Sequence, residues 1–282
     1  MRIGYYPGCS LLGSSREFGE SVEAVAEALG LELDQVPDWN CCGASSAHVL
    51  DHHLALALPA RILAQAEAAG LTEILAPCAA CYNRLASARE ALGGDPALAA
   101  EIAGINGAPF NGGVRVLNIL EFLTRFQTEI QARVTAPFRH KVACYYGCLL
   151  VRPPKVVQFD RPENRASMDR LMAAAGAQPL DWNFKTECCG AAFSVTRTDL
   201  VARLSGLIVA DAVRSGAEAI LVACPMCHSN LDMRRPESNA GMGTDHQIPV
   251  LFITQALGLA MGIDPVRLGL QRHMVPAVLA GV

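Results

Sequence analysis

Ile74-Leu75-Ala76-Pro77-Cys78-Ala79-Ala80-Cys81 and Leu221-Val222-Ala223-Cys224-Pro225-Met226-Cys227 are the two stretches whose reading decides the fold. In each, a short apolar run of the kind found in a strand covered on both faces hands over directly to a CxxC. The strands are read at residues 73–76 and 219–223. Before them, residues 54–69 and 200–215 carry helical patterns closed by Gly70 and Gly216. Residues 2–6 and 141–145 read as earlier strands, ending just ahead of Cys9 and Cys148. Val22, Val25 and Leu29 recur at helical spacing before Gly30. A third strand and helix follow in each half, at residues 114–122 and 250–257. Strands alternating with helices of this length predict parallel βαβ units, hence an α/β fold of two tandem Rossmann-like repeats. Sites in such sheets lie beyond the carboxyl ends of the strands, so the cysteines are expected to converge there. Segments 93–113 and 234–247, rich in Gly, Asn and Pro, read as loops.

The chain is a duplication. Cys9 is followed after 31 residues by Cys41-Cys42-Gly43, and after 35 more by Cys78 and Cys81. Cys148 is followed after 39 residues by Cys188-Cys189-Gly190, and after 34 more by Cys224 and Cys227. The surroundings match too: Tyr5-Tyr6-Pro7-Gly8-Cys9 mirrors Tyr145-Tyr146-Gly147-Cys148, and Asp38-Trp39-Asn40 mirrors Asp181-Trp182-Asn183. The only two tryptophans of the chain thus fall at equivalent points. The boundary between repeats is expected in the polar stretch 124–139, giving domains 1–135 and 136–282. The second repeat is eight residues longer after its leading cysteine, and the addition carries Arg152, Lys155, Arg161 and Arg165. Such a loop is either a solvated insertion or a contact for an anionic substrate.

With 282 residues, 51% of them hydrophobic and 18% charged, each half is long enough for a core of its own. The net charge of −4 supplies no basic field, which argues against nucleic acid as a partner. The most apolar window, residues 200–224, is interrupted by Arg203, Asp211, Arg214 and Glu218, so no direct membrane span is expected. The N-terminal residues lack the apolar segment of a secretory signal, and the expected location is cytoplasmic. The odd number of cysteines, eleven, points in that setting to metal or redox chemistry rather than a disulfide framework.

Soft thiolates select zinc, copper(I) or iron–sulfur clusters. Zinc is satisfied by four ligands, whereas each half offers five including an adjacent pair, whose side chains point apart on an extended backbone. A polynuclear cluster can use both. The cysteine run of ordinary ferredoxins is absent. Pro77-Cys78-Ala79-Ala80-Cys81, with a helix expected from about Asn83, is also compatible with thiol–disulfide chemistry. That alternative leaves the recurrence of Cys9, Cys41 and Cys42 unexplained. Cys144 stands outside both sets, opposite Tyr5, and reads as a small apolar residue on a strand. His228, opposite Tyr82, is a candidate proton donor or a core histidine; His48, His52 and His53 follow the first Cys-Cys pair.

The doubled pattern resembles the cysteine-rich CCG domain family, and specifically the B-type subunits of heterodisulfide reductase. The matching elements are Gly8-Cys9, Asn40-Cys41-Cys42-Gly43 and Pro77-Cys78-x-x-Cys81, then Gly147-Cys148, Glu187-Cys188-Cys189-Gly190 and Cys224-Pro225-x-Cys227. The resemblance implies two noncubane [4Fe-4S] clusters near the domain interface. Cys9, Cys41, Cys42, Cys78 and Cys81 would hold one; Cys148, Cys188, Cys189, Cys224 and Cys227 would hold the other. It implies an oxidoreductase subunit that splits or forms a disulfide in a small sulfur-containing substrate between them. It also implies partners: a ferredoxin-like iron–sulfur subunit and a flavin-containing subunit. CCG domains recur in membrane-associated dehydrogenases such as succinate dehydrogenase, which leaves a non-catalytic electron-transfer subunit as the alternative. A zinc-stabilised scaffold is a third reading.

Overall fold

The computed structural model describes residues 2–279. The first half runs β1 (Arg2–Tyr5), α1 (Gly8–Leu12), α2 (Arg16–Ala28), β2 (Glu32–Gln35), α3 (Ala47–Leu50), α4 (His52–Ala68), β3 (Glu73–Leu75), α5 (Ala79–Gly94), α6 (Pro96–Asn106), β4 (Arg115–Leu117), α7 (Ile119–Arg125) and α8 (Gln127–Ala132). The second half runs β5 (Lys141–Tyr145), α9 (Ser167–Ala174), β6 (Gln178–Pro179), α10 (Thr198–Arg214), β7 (Ala219–Val222), α11 (Pro225–Asp232), α12 (Arg235–Met242), β8 (Val250–Phe252) and α13 (Ile253–Ala260).

Two four-stranded, all-parallel sheets result, with orders β2-β1-β3-β4 and β6-β5-β7-β8. The protein is therefore α/β, and the two sheets share one strand order. Their register agrees as well: Tyr5 lies opposite Leu75, three residues before Cys78, and Cys144 lies opposite Leu221, three before Cys224. Tyr5 and Cys144 are structural counterparts, as the spacing predicts.

The central strands were legible because helices cover both faces of the sheet, so their residues are apolar without alternation; every residue of β7 is buried. The edge strands β2 and β6 carry no such signal. The β2 sequence Glu-Leu-Asp-Gln faces solvent on one side, and Pro179 in β6 is tolerated because an edge strand can spare a ladder donor.

Both expected loops are corrected by helices. In segment 93–113, Asp95 accepts hydrogen bonds from the amides of Ala97 and Leu98, Pro96 opens α6, and Gly107 closes it in the left-handed region. In segment 234–247, α12 ends at a left-handed Gly243. Glycine and proline punctuate helices here rather than abolish them. The helix after the first CxxC also starts earlier than expected, at Ala79, which places Cys81 in its first turn.

One apolar core is continuous through both sheets. The halves meet reciprocally, α2 packing on α13 and α7 on α9. At one of these contacts Phe18 stacks on Phe252 at 4.2 Å, and Ser21 and Thr254 hydroxyls hydrogen-bond at 2.6 Å. On the other side the Asn83 amide of α5 donates to the carbonyls of Leu149 and Arg152, just past Cys148.

Candidate functional site

In the first half Cys9 lies in the first turn of α1, Cys41 and Cys42 in the loop after β2, Cys78 at the cap of α5 and Cys81 within it. Cys9 and Cys41 are exposed, whereas Cys42, Cys78 and Cys81 are buried. The Cys42 and Cys81 sulfurs are 3.3 Å apart, and the Gly43 amide donates to the Cys41 sulfur at 3.4 Å. Gly8 sits at φ +66°, and a Cβ there would lie 3.0 Å from the Cys81 sulfur. Only glycine combines that backbone with that approach. Tyr6 closes the site from the strand end: its hydroxyl donates to the Asn40 carbonyl, just before the Cys-Cys pair, and its ring meets Trp39 edge-on at 5.5 Å.

The second half repeats the construction. The Cys189 and Cys227 sulfurs are 3.6 Å apart, and the Gly190 amide donates to the Cys188 sulfur at 3.3 Å. Gly147 has φ +66° and the same 3.0 Å limit against the Cys227 sulfur. Tyr145 donates to the carbonyl of Glu187, again just before the pair, and packs against Trp182 at 6.3 Å. An extra support appears here: the Asn230 amide reaches the Cys189 carbonyl at 3.1 Å.

The two sets abut. Cys78 and Cys224, the leading cysteines of the CxxC motifs, lie close enough across the seam between the halves for each to shift the other's thiol, Cys78 upward and Cys224 downward. All eleven cysteines are free thiols. Their crowding polarises them. Hydrogen bonds from Cys41 and Cys81 hold the Cys42 thiol far below its ordinary range, and Cys41 rises in turn. Cys227 and Cys78 do the same for Cys224, and the Cys148 thiol draws Cys188 down to about 6. Each set therefore favours thiolate, the ligand form, at particular members.

The cysteine-rich domain CCG matches this chain twice, over residues 3–86 and 142–232, each match spanning one complete set of five. The chain belongs to the CCG family. It is 31% identical to the 8-methylmenaquinol:fumarate reductase membrane anchor subunit of Wolinella succinogenes, with 99% of both chains covered. It is 30% identical to the B-type subunit of the ferredoxin/F(420)H(2)-dependent CoB-CoM heterodisulfide reductase of Methanosarcina acetivorans, covering 97% of this chain and 94% of that one. With the B-type subunit of the ferredoxin:CoB-CoM heterodisulfide reductase of Methanosarcina mazei it shares 31% identity at the same coverage. A crystal structure of a hypothetical protein from Helicobacter pylori superposes with a TM-score of 0.80 at 14% identity, covering 98% of this chain and 52% of that one, and so shares the fold. No helix among the described residues of this CCG protein is long and apolar enough to cross a membrane.

The other candidates of this CCG chain separate clearly. Cys144 is wholly buried on β5, and burial pushes its thiol well up. His53 pairs with Glu101 at 3.1 Å, and His48 and His52 are exposed. His228, next to Cys227, is a core histidine: it hydrogen-bonds the Val250 carbonyl, stacks on Phe252 at 4.4 Å, and is held neutral, its pKa pushed down to about 3 by burial and by His273. Two residues that the sequence pattern left without a role are Tyr6 and Tyr145. Burial, and then the neighbouring cysteines, raise both phenols well above their usual range. Their signal was present, since each stands three residues before the leading cysteine of its set.

Proposed function

We propose that this chain is an iron–sulfur redox subunit that reduces, or in reverse forms, a disulfide in a small sulfur-containing substrate. In this reading Cys9, Cys41, Cys42, Cys78 and Cys81 hold one noncubane [4Fe-4S] cluster, and Cys148, Cys188, Cys189, Cys224 and Cys227 hold the other. The domains are 1–135 and 136–282, tandem Rossmann-like repeats about a pseudo-twofold axis. The observation that carries the reading is the meeting of the two sets at Cys78 and Cys224, because a two-electron sulfur reaction calls for two one-electron centres side by side. The donor set fits the group: soft, unbridged sulfurs converge over glycines that leave room where a Cβ would intrude. When bound, the clusters supply the electrons and a soft metal surface for sulfur.

The chain's own residues do the rest. Tyr6 and Tyr145 tie each Cys-Cys loop to the end of its strand, and Gly8 and Gly147 let the leading turn approach the CxxC helix. Burial of Cys42, Cys78, Cys81, Cys189, Cys224 and Cys227 keeps water from the sulfurs, which strengthens every charge interaction there. No glycine-rich dinucleotide fingerprint follows a strand, so electrons come from partner proteins, a ferredoxin-like iron–sulfur subunit and a flavin-containing subunit, in the cytoplasm. The test is anaerobic purification with iron and sulfide analysis and EPR, with and without candidate thiols. About eight iron atoms per chain and a thiol-sensitive signal are expected. Two zinc ions and no EPR signal would overturn the proposal.

The Wolinella relative favours a second reading, an electron-transfer subunit of a membrane-associated dehydrogenase. That reading predicts the same iron content, with a signal that responds to reductant and ignores every thiol.

A further inference from the structure

Asn230 of α11, three residues after Cys227, is 1% exposed. Its side-chain amide donates to the Cys189 carbonyl at 3.1 Å and to the Cys189 sulfur at 3.6 Å. The other end fixes this orientation, since Asn230 Oδ1 accepts from the Ser194 hydroxyl at 3.0 Å. Turning the amide over would set its oxygen against the Cys189 carbonyl oxygen and sulfur, so both N–H groups face Cys189. Arg234, four residues on, holds the same loop through the Ser194 carbonyl at 2.9 Å.

The first half lacks this donor. The position three residues after Cys81 is Arg84, and no side-chain amide among the described residues is hydrogen-bonded to the Cys42 sulfur, which meets Cys81 at 3.3 Å. The Tyr6 hydroxyl lies beside Cys42, but its single proton goes to the Asn40 carbonyl at 2.9 Å. Tyr145 spends its proton in the same way on the Glu187 carbonyl. Backbone amides serve both pairs, those of Gly43 and Ala44 in the first half and of Gly190 and Ala191 in the second. A side-chain amide aimed at a sulfur of the Cys-Cys pair thus distinguishes the second half.

We propose that Asn230 is a tuning residue, whose amide raises the reduction potential of the centre held by Cys148, Cys188, Cys189, Cys224 and Cys227 above that of the centre held by the first set. The inference rests on the iron–sulfur reading proposed above. Reduction adds a negative charge to a thiolate-ligated centre, and N–H groups aimed at a ligand sulfur stabilise that charge. Hydrogen bonds to sulfur are accordingly among the features that set such potentials. Burial strengthens the effect, because Cys189 is 1% exposed and water does not compete for its sulfur. Of two electrons delivered singly to the chain, the first is held in the second half.

The test is a dithionite titration of the anaerobically purified full chain, followed by EPR at controlled potential. The signal missing from Cys189→Ala identifies the second-half centre, and it is expected to develop at the higher potential. Asn230→Leu, close in volume, removes both donors. It should disfavour reduction of that centre about tenfold, a fall of about 59 mV for a one-electron step, and leave the other potential where it was. Arg234→Lys keeps the charge and breaks the fork on the Ser194 carbonyl, loosening the same loop without removing a donor to sulfur. It should move neither potential. The proposal is overturned if the signal missing from Cys42→Ala develops first, or if Asn230→Leu moves both potentials or neither. It is overturned equally if Arg234→Lys lowers the second-half potential as much as Asn230→Leu does. The order of the two potentials in the natural chain decides the matter even where a variant loses iron. About eight iron atoms with two signals in the wrong order sink this inference alone; zinc in place of iron, with no signal, sinks the redox reading with it.

Discussion

Between leading cysteine and Cys-Cys pair, the first half passes through two helices, whereas the second makes a long run of turns before α9 begins at Ser167. The sulfur cradle on either side of this difference is nearly the same. Gly8 and Gly147 share φ and sulfur distance, and Tyr6 and Tyr145 bind the same carbonyl position. What diverged is the chain that crosses the seam. Tyr82, after the first CxxC, lies within electrostatic reach of the buried Arg165 of the second half, and His228, after the second, faces the buried Glu17 of the first at 3.9 Å. Duplication preserved the places where sulfur geometry leaves no freedom and let the approaches to them specialise.

The sharpest way to break this comparison is at the buried member of each Cys-Cys pair. Cys42→Ala and Cys189→Ala should each lose about half the iron and one EPR signal while sparing the other. Loss of all iron from either would show that the abutting sets at Cys78 and Cys224 act as one unit. Next in size are the glycines. Gly8→Ala and Gly147→Ala should each cost about 1–2 kcal/mol from the left-handed backbone, with a further loss from the sulfur contact at 3.0 Å. Gly30→Ala is the control, since Gly30 has φ +72° with open space around it. Denaturant unfolding that ranks Gly30→Ala with the other two would show that the sulfur contact imposes nothing.

Much of this was legible in the sequence because the constraint was local. A strand buried on both faces must be apolar, so β1, β3, β5, β7 and their companions announced themselves, and the cysteine spacing carried the repeat. The edge strand β2 and the helices α6 and α12 were not legible. The first is polar because one side meets water, and the others are held by caps such as Asp95 and Gly107 whose residues also make turns. The burial of Arg165 was out of reach: an arginine in a polar insertion looks solvated until the fold closes over it.

Removing the tyrosine hydroxyls probes the cradle more gently. Tyr6→Phe and Tyr145→Phe each delete one hydrogen bond, to Asn40 or Glu187, at a cost of about 1 kcal/mol. If the halves are equivalent, the two losses should match within about 0.5 kcal/mol. A larger loss of iron from one of them would show which Cys-Cys loop depends more on its strand.

The smallest effect belongs to the neighbouring position, where the halves differ outright. Tyr5 and Cys144 occupy the same register, yet the Tyr5 hydroxyl is buried without a partner, and burial raises it well above its usual range. A hydroxyl that satisfies nothing contributes only its desolvation cost. Tyr5→Phe should therefore leave iron content unchanged and leave stability equal or raised by up to about 1 kcal/mol in denaturant unfolding. Its contrast with Tyr6→Phe, one residue away, is the informative quantity. Should Tyr5→Phe destabilise the chain as much as Tyr6→Phe does, the strand end would be held by both phenols. The correspondence of Tyr6 with Tyr145, and of Tyr5 with the buried Cys144, would then describe sequence position without describing a shared task.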